Sequence, residues 1–140
     1  MLYLDTSALL KLFIREQGSE EVQMAIESQD HPLPVWEIQE MELTNALRLK
    51  VFWGELELAE AERQLALFEE RFARGLYFFP EISRPELRRK FRELSARTPQ
   101  LGCGTMDILH VACACQLEAG RFLTFDERQA TLAREAGLKV

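Results

Sequence analysis

Short apolar runs alternate along the chain with longer stretches in which apolar residues recur every three or four positions, a pattern that predicts strands separated by helices. Leu2, Tyr3 and Leu4 read as a buried strand, and Ala8, Leu9, Leu10, Lys11, Leu12 and Phe13 as the helix that packs back on it. Glu16 to Gly18 interrupt the pattern, and Ser19 opens a helix with Val22 and Ile26 on its apolar stripe. His31 to Val35 reads as a strand, but Pro32 and Pro34 cannot donate to a ladder, so it is expected at an edge or end of a sheet.

From Trp36 to Trp53, the residues Met41, Leu43, Ala46, Leu47, Leu49 and Val51 fit a long helix with a broad buried face, ending near Gly54. Leu56 to Arg74 is a second helix, with Leu58, Leu65, Leu67, Phe68 and Phe72 on its stripe and a stop at Gly75. The two are expected to form a helical hairpin. Leu76 to Phe79 is an aromatic strand closed by Pro80, and Ser83 to Thr98 a helix with Leu87, Phe91 and Leu94 inward. Pro99 to Gly104 reads as a loop. Thr105 opens a helix to about Glu118, Arg121 to Thr124 is a strand, Asp126 to Ala136 a helix, and Leu138 to Val140 a last strand. This order predicts an α/β fold with a largely parallel sheet covered by helices on both faces, in a single domain over residues 1–140.

Composition changes this picture little. With 140 residues, 47% hydrophobic and 29% charged, the chain can bury a core without disulfide or metal staples. No apolar run approaches the roughly 18 residues of a spanning helix, and no basic region precedes an apolar stretch, so a cytoplasmic, membrane-free protein is expected. Cys103, Cys113 and Cys115 match no zinc or redox spacing and read as small, buried, reduced side chains. The net charge of −6 argues against bulk electrostatic coating of nucleic acid. It leaves room for a nucleic-acid enzyme, because a bound cation offsets local negative charge and basic residues can be confined to one face.

Four carboxylates carry the candidate chemistry. Asp5 ends the first strand, where an open parallel sheet keeps its crevice. Asp126 follows Phe122, Leu123 and Thr124 with only Phe125 between, and because parallel strands end on one edge it faces the same crevice. Asp107 stands in the first turn of a helix, and helices that follow strands begin at that edge. Glu42 sits among Glu37 and Glu40, but Leu43 and Leu47 sink this part of its helix, and a glutamate bordering an apolar face is costly unless compensated. Each has an ordinary reading as well. Asp5 and Asp126 are good helix caps, the latter with Gln129 placed for a capping box. Asp107 suits a helix N-terminus, and Glu42 suits a solvated face. Gathered together they would repel, and a hard divalent cation resolves the repulsion. A site without His or Cys ligands suits Mg²⁺ or Mn²⁺ rather than zinc. The chemistry that follows is phosphodiester hydrolysis.

These segments resemble the PIN domain nucleases, and within them the VapC toxins of toxin–antitoxin pairs. The opening Asp5, Thr6, Ser7, Ala8, Leu9 is similar to the family's first motif, and Glu42, Leu43, Thr44, Asn45, Ala46, Leu47 to its second. Asp107 with Ala112 and Ala114 is similar to the third, and Leu123, Thr124, Phe125, Asp126 to the fourth. The resemblance covers nearly the whole chain. It implies a three-layer sandwich with a central, mostly parallel sheet, an acidic site holding Mg²⁺ or Mn²⁺, endonucleolytic cleavage of RNA, homodimerisation, and neutralisation by a cognate antitoxin. It makes Asp5, Glu42, Asp107 and Asp126 the metal-binding quartet, with Asp5 and Asp107 as direct ligands, and Ser7, Asn45 and Thr124 as supporting groups. The alternatives within the family are a catalytically silent adaptor that binds RNA or protein, and a nuclease of RNA processing. A phosphotransfer enzyme with Asp5 as acceptor, of the haloacid dehalogenase type, needs a second aspartate where Ser7 stands.

Four further signals stay open between two readings. Arg84, Arg88, Arg89 and Arg92, with Lys90, form a basic stripe that suits phosphate contact or a solvated helix face. Val51, Phe52 and Trp53 suit a partner surface or the lining of the hairpin. His110 suits packing or an outer-shell place near the metal, and Lys11 suits solvent or a phosphate.

Overall fold

The strand β1 (Leu2–Leu4) divides the core in two. Alternate side chains of a strand point to opposite faces; Leu2 and Leu4 enter one apolar cluster and Tyr3 enters the other. Its parallel neighbour β4 (Arg121–Leu123) does the same with Leu123 and Phe122. The computed structural model, which describes residues Met1–Val140, is accordingly the three-layer α/β sandwich expected. On the Leu4 side lie α1 (Thr6–Leu10), α2 (Ser19–Glu27), α3 (Glu37–Phe52) and α4 (Leu58–Ala73). On the Tyr3 side lie α5 (Arg84–Ser95), the single turn α6 (Thr98–Leu101), α7 (Thr105–Gln116) and α8 (Glu127–Glu135).

The strands pair in two parallel couples, β1 with β4, and β2 (Leu33–Pro34) with β3 (Tyr77–Phe78). β2 is a terminal strand of its two-stranded sheet, as its prolines predicted, and lies beside β1 without ladder bonds to it. The direction of the missing donor explains why. Leu33 and Val35 donate their N–H groups to Leu76 and Phe78 on the β3 side, which by alternation aims the Pro34 nitrogen at β1. No ladder bond can form there. The side chain of Gln39 in α3 replaces it, donating from Nε2 to the Leu4 carbonyl at 2.7 Å while its Oε1 accepts from the Trp36 N–H at 2.7 Å. Gln39 is fully buried, and no buried amide of this kind was anticipated from the helix pattern.

Other departures are local. The first helix stops at Leu10, and Leu12 and Phe13 continue it only as a tight turn with bonds to residues three back. Within the expected loop Pro99–Gly104, Pro99 sits in the first turn of α6, and Gly102, at φ 67°, ends it. Leu138–Val140 forms no strand; the Lys139 carbonyl accepts a single bond from Phe122 at 2.7 Å. Met41, Leu49 and Leu58 stand exposed, so the buried faces of α3 and α4 are narrower than predicted, and Cys115 is half-buried where burial was expected. Phe52, 82% exposed, and Trp53 do not line the hairpin.

An aromatic cluster closes the Leu4 side, with Phe68 against Phe13 (6.0 Å between ring centroids), Phe72 (6.2 Å) and Tyr77 (5.5 Å). Phe68→Ala should therefore cost about 3–5 kcal/mol. In urea titration this reads as a lower midpoint with an unchanged slope.

Candidate active site

The level register of β1 and β4, with Leu4 opposite Leu123, brings the ends of both strands to one place. Asp5 donates its N–H to the Leu123 carbonyl at 3.0 Å, which sets its side chain beside Thr124. One carboxylate oxygen, Oδ1, accepts from the Ala8 N–H at 2.8 Å, so Asp5 is indeed the cap of α1. Ser7 Oγ lies 2.8 and 2.9 Å from the two oxygens, and Thr124 Oγ1 lies 2.9 Å from Oδ2. Thr124 is also 2.5 Å from Gln129 Oε1 and has one proton for the two acceptors. Asp5 is 5% exposed and makes no ion pair within the chain. Burial raises its pKa, against the lowering effect of Ala8, Ser7, His110 and Thr124.

Glu42 reaches the same region from α3. Burial pushes its carboxyl up, but hydrogen bonds from His110 and Thr6 and the attraction of His110 outweigh that and hold it below its ordinary value. Thr6 Oγ1 donates to Oε2 at 2.6 Å, and His110 Nε2 lies 2.8 Å from the same oxygen. The compensation that a glutamate on this face requires is thus a buried histidine from α7 and the residue next to Asp5. His110 is buried, and its other nitrogen is 3.1 Å from the Tyr3 hydroxyl. Asn45 is exposed and bonds to none of these groups.

Asp107 and Asp126 form a second group. Asp107 Oδ2 accepts from the Gly104 N–H at 2.7 Å, tightening the start of α7. Asp126 caps α8, accepting from the Arg128 and Gln129 N–H groups at 2.8 and 3.0 Å. It pairs with the Arg128 guanidinium at 3.1 Å, and that side-chain bond is the main reason its pKa is lowered. Gln129 does not close a capping box. Its buried side chain turns instead to Thr124 and to the Asp107 carbonyl, 3.2 Å away, and so ties the two groups together. Lys11 is engaged as well, with Glu16 at 2.8 Å and the Phe125 ring 4.5 Å below its ammonium. Phe125 in turn presses on Gly18, where a Cβ would come within 2.5 Å of the ring.

The structure therefore unites Asp5 with Ser7 and Thr124, and Glu42 with Thr6 and His110, and sets Asp107 and Asp126 around Arg128. No three of the His, Cys, Asp and Glu side chains are gathered closely enough to hold a metal ion by themselves. The donors still fit a hard cation in kind. Asp5 is a buried carboxylate with no cationic partner, and Glu42 Oε1 and Asp107 Oδ1 carry no hydrogen bond. Mg²⁺ typically takes one or two carboxylates and completes its shell with waters and substrate phosphates.

This fold, with an acidic strand edge of this order, places the molecule in a known class. The chain belongs to the PIN domain family, whose model matches residues 2–135. PIN domains are generally nucleases and usually metal-dependent. No curated protein matches the chain well enough to add a named relative. No helix is long and apolar enough to cross a membrane.

The raised Asp5 pKa has a sign that can be tested. In the fold Asp5 holds its proton to higher pH than in the unfolded chain, so its contribution to stability is complete below the ordinary carboxylate value and is lost as pH rises through the folded value. Asp5→Asn keeps a good helix cap and removes the buried charge. In chelator at neutral pH the variant should be more stable by about 0.5–2 kcal/mol, the range of other single stabilising changes. The gain should shrink to nothing near pH 4, as read by thermal melts across pH.

Proposed function

We propose that the chain is an Mg²⁺- or Mn²⁺-dependent endoribonuclease, the toxin of a type II toxin–antitoxin pair. The observation that carries the reading is Asp5, a desolvated carboxylate at the strand edge with no positive side chain to balance it. Asp5 and Asp107 are assigned as direct ligands, with Glu42 and Asp126 completing the acidic set. A cation held by Asp5 and Asp107 would supply the charge that activates a water and stabilises the leaving oxygen of a phosphodiester. The remaining work falls to the protein. Ser7 and Thr124 fix the Asp5 carboxylate, Arg128 holds Asp126, and Gln129 keeps α7 and α8 in register.

The basic stripe of α5 supplies the substrate contact in this reading. Arg88 and Arg92 border a shallow recess with Phe91, Thr105 and Leu109, next to the start of α7 and two residues ahead of Asp107. Arg89 is held by Glu86 and Glu93 and is the least available of the four, while Arg84, Arg88 and Arg92 make no ion pair. The same reading includes a homodimer and a separate antitoxin chain, and exposed Phe52 and Trp53 are the surface we assign to a partner.

Incubation with a panel of structured RNAs in Mg²⁺, in Mn²⁺ and in chelator tests this directly. Wild type should cut in either metal and not in chelator. Asp5→Asn and Asp107→Asn should each lose more than about 100-fold in rate, the upper end for removal of an outer-shell partner alone. Cleavage that survives chelator or Asp5→Asn sinks the mechanism. Replacing Arg88 and Arg92 together by Ala should weaken RNA binding across sequences and make it less salt-dependent by roughly one unit of log–log slope per lost phosphate contact.

A further inference from the structure

Glu42 is held by a hydrogen-bond chain whose direction can be worked out atom by atom. Thr6 has one proton and gives it to Glu42 Oε2 at 2.6 Å. His110 Nε2 faces two oxygens, Glu42 Oε2 at 2.8 Å and Thr6 Oγ1 at 3.2 Å, and the Thr6 proton is already spent. Both oxygens can only accept from the ring, so Nε2 must carry hydrogen. At the other end of the ring, Nδ1 lies 3.1 Å from the Tyr3 hydroxyl. Tyr3 is fully buried, stacked on Phe122 at 5.6 Å, and its other polar neighbour is the Cys113 thiol, a weak acceptor.

We propose that Tyr3 and His110 are positioning residues: the Tyr3 hydroxyl holds the ring at Nδ1, His110 Nε2–H donates to Glu42 Oε2, and Oε1 is left as the only Glu42 oxygen free to take a further partner. The consequence is a monodentate carboxylate. With Thr6 and His110 both on Oε2, Glu42 can neither rotate nor offer two oxygens without breaking bonds that its burial makes necessary. This inference rests on the proposed cation-dependent site only for the identity of the partner at Oε1. Second-layer hydrogen bonds of this sort fix ligand orientation and, when removed, typically cost 10–100-fold in metal affinity.

The tautomer can be read without metal or substrate. The chain has two histidines, and His31 is exposed, so His31→Gln leaves a single imidazole to observe. Side-chain ¹⁵N spectra of that variant in chelator should show hydrogen on Nε2. A ring whose Nε2 carries no hydrogen overturns the proposal. Mn²⁺ binding followed by electron paramagnetic resonance supplies the second arm. Tyr3→Phe, which removes one oxygen and leaves the ring packing, and His110→Ala should each weaken binding by about 10–100-fold. His110→Gln, which keeps an N–H toward Glu42, should recover part of that loss. Unchanged affinity in Tyr3→Phe and His110→Ala, with native circular dichroism, also overturns it. A wild type that binds no Mn²⁺ removes the cation-dependent reading, and the tautomer then decides the relay alone.

Discussion

Taking the Asp5 carboxylate out of water at the end of β1 is the constraint on which the strand edge depends. A buried anion without a paired cation is tolerated only when hydrogen-bond donors surround it, and each donor here comes with a structural demand. Ala8 requires α1 to start immediately, Ser7 must lie in its first turn, and Thr124 must arrive from β4 in register. Thr124 and Gln129 then carry the same constraint to α7 and α8. The two halves of the core meet at β1, so the polar contacts of the edge also align the two apolar clusters.

The hydrophobic pattern disclosed most of this architecture because the sandwich is written in its alternation. Leu2 and Leu4 against Tyr3, and Leu123 against Phe122, are period-two signals, and the stripes at Leu43 and Leu47, one helical turn apart, or Leu87 and Leu94, two turns apart, are helical ones. What the pattern did not disclose is directional. Pro34 is the edge residue it reads as, but nothing in the spacing of Gln39 distinguishes this buried amide, which bonds the Leu4 carbonyl, from a solvated position. Its signal is a glutamine three residues after the residue that starts the helix, a place from which it reaches back.

The carboxylates were legible as residues and less so as partners. Asp5 and Glu42 lie where strand end and sunken helix face put them. Their companions Thr6 and His110 are ordinary in sequence, and they matter because α1, α3 and α7 converge. Asp126 illustrates the opposite case: its capping role, plain from the strand-to-helix boundary, is realised in full, with Arg128 added from two residues along. A carboxylate that caps and one that serves chemistry look alike in sequence, because both need a helix to begin at a sheet edge.

The pairing of β1 with β4 joins Asp5 to Thr124 across 119 residues. Contacts of such separation are made late in folding, after the loop-closure entropy between them has been overcome. During synthesis Asp5 emerges well before the hydroxyl and the helices that complete its surroundings. A nascent or truncated chain therefore carries the acidic residue without its setting. The topology completes the acidic edge only once β4 and α8 have been made.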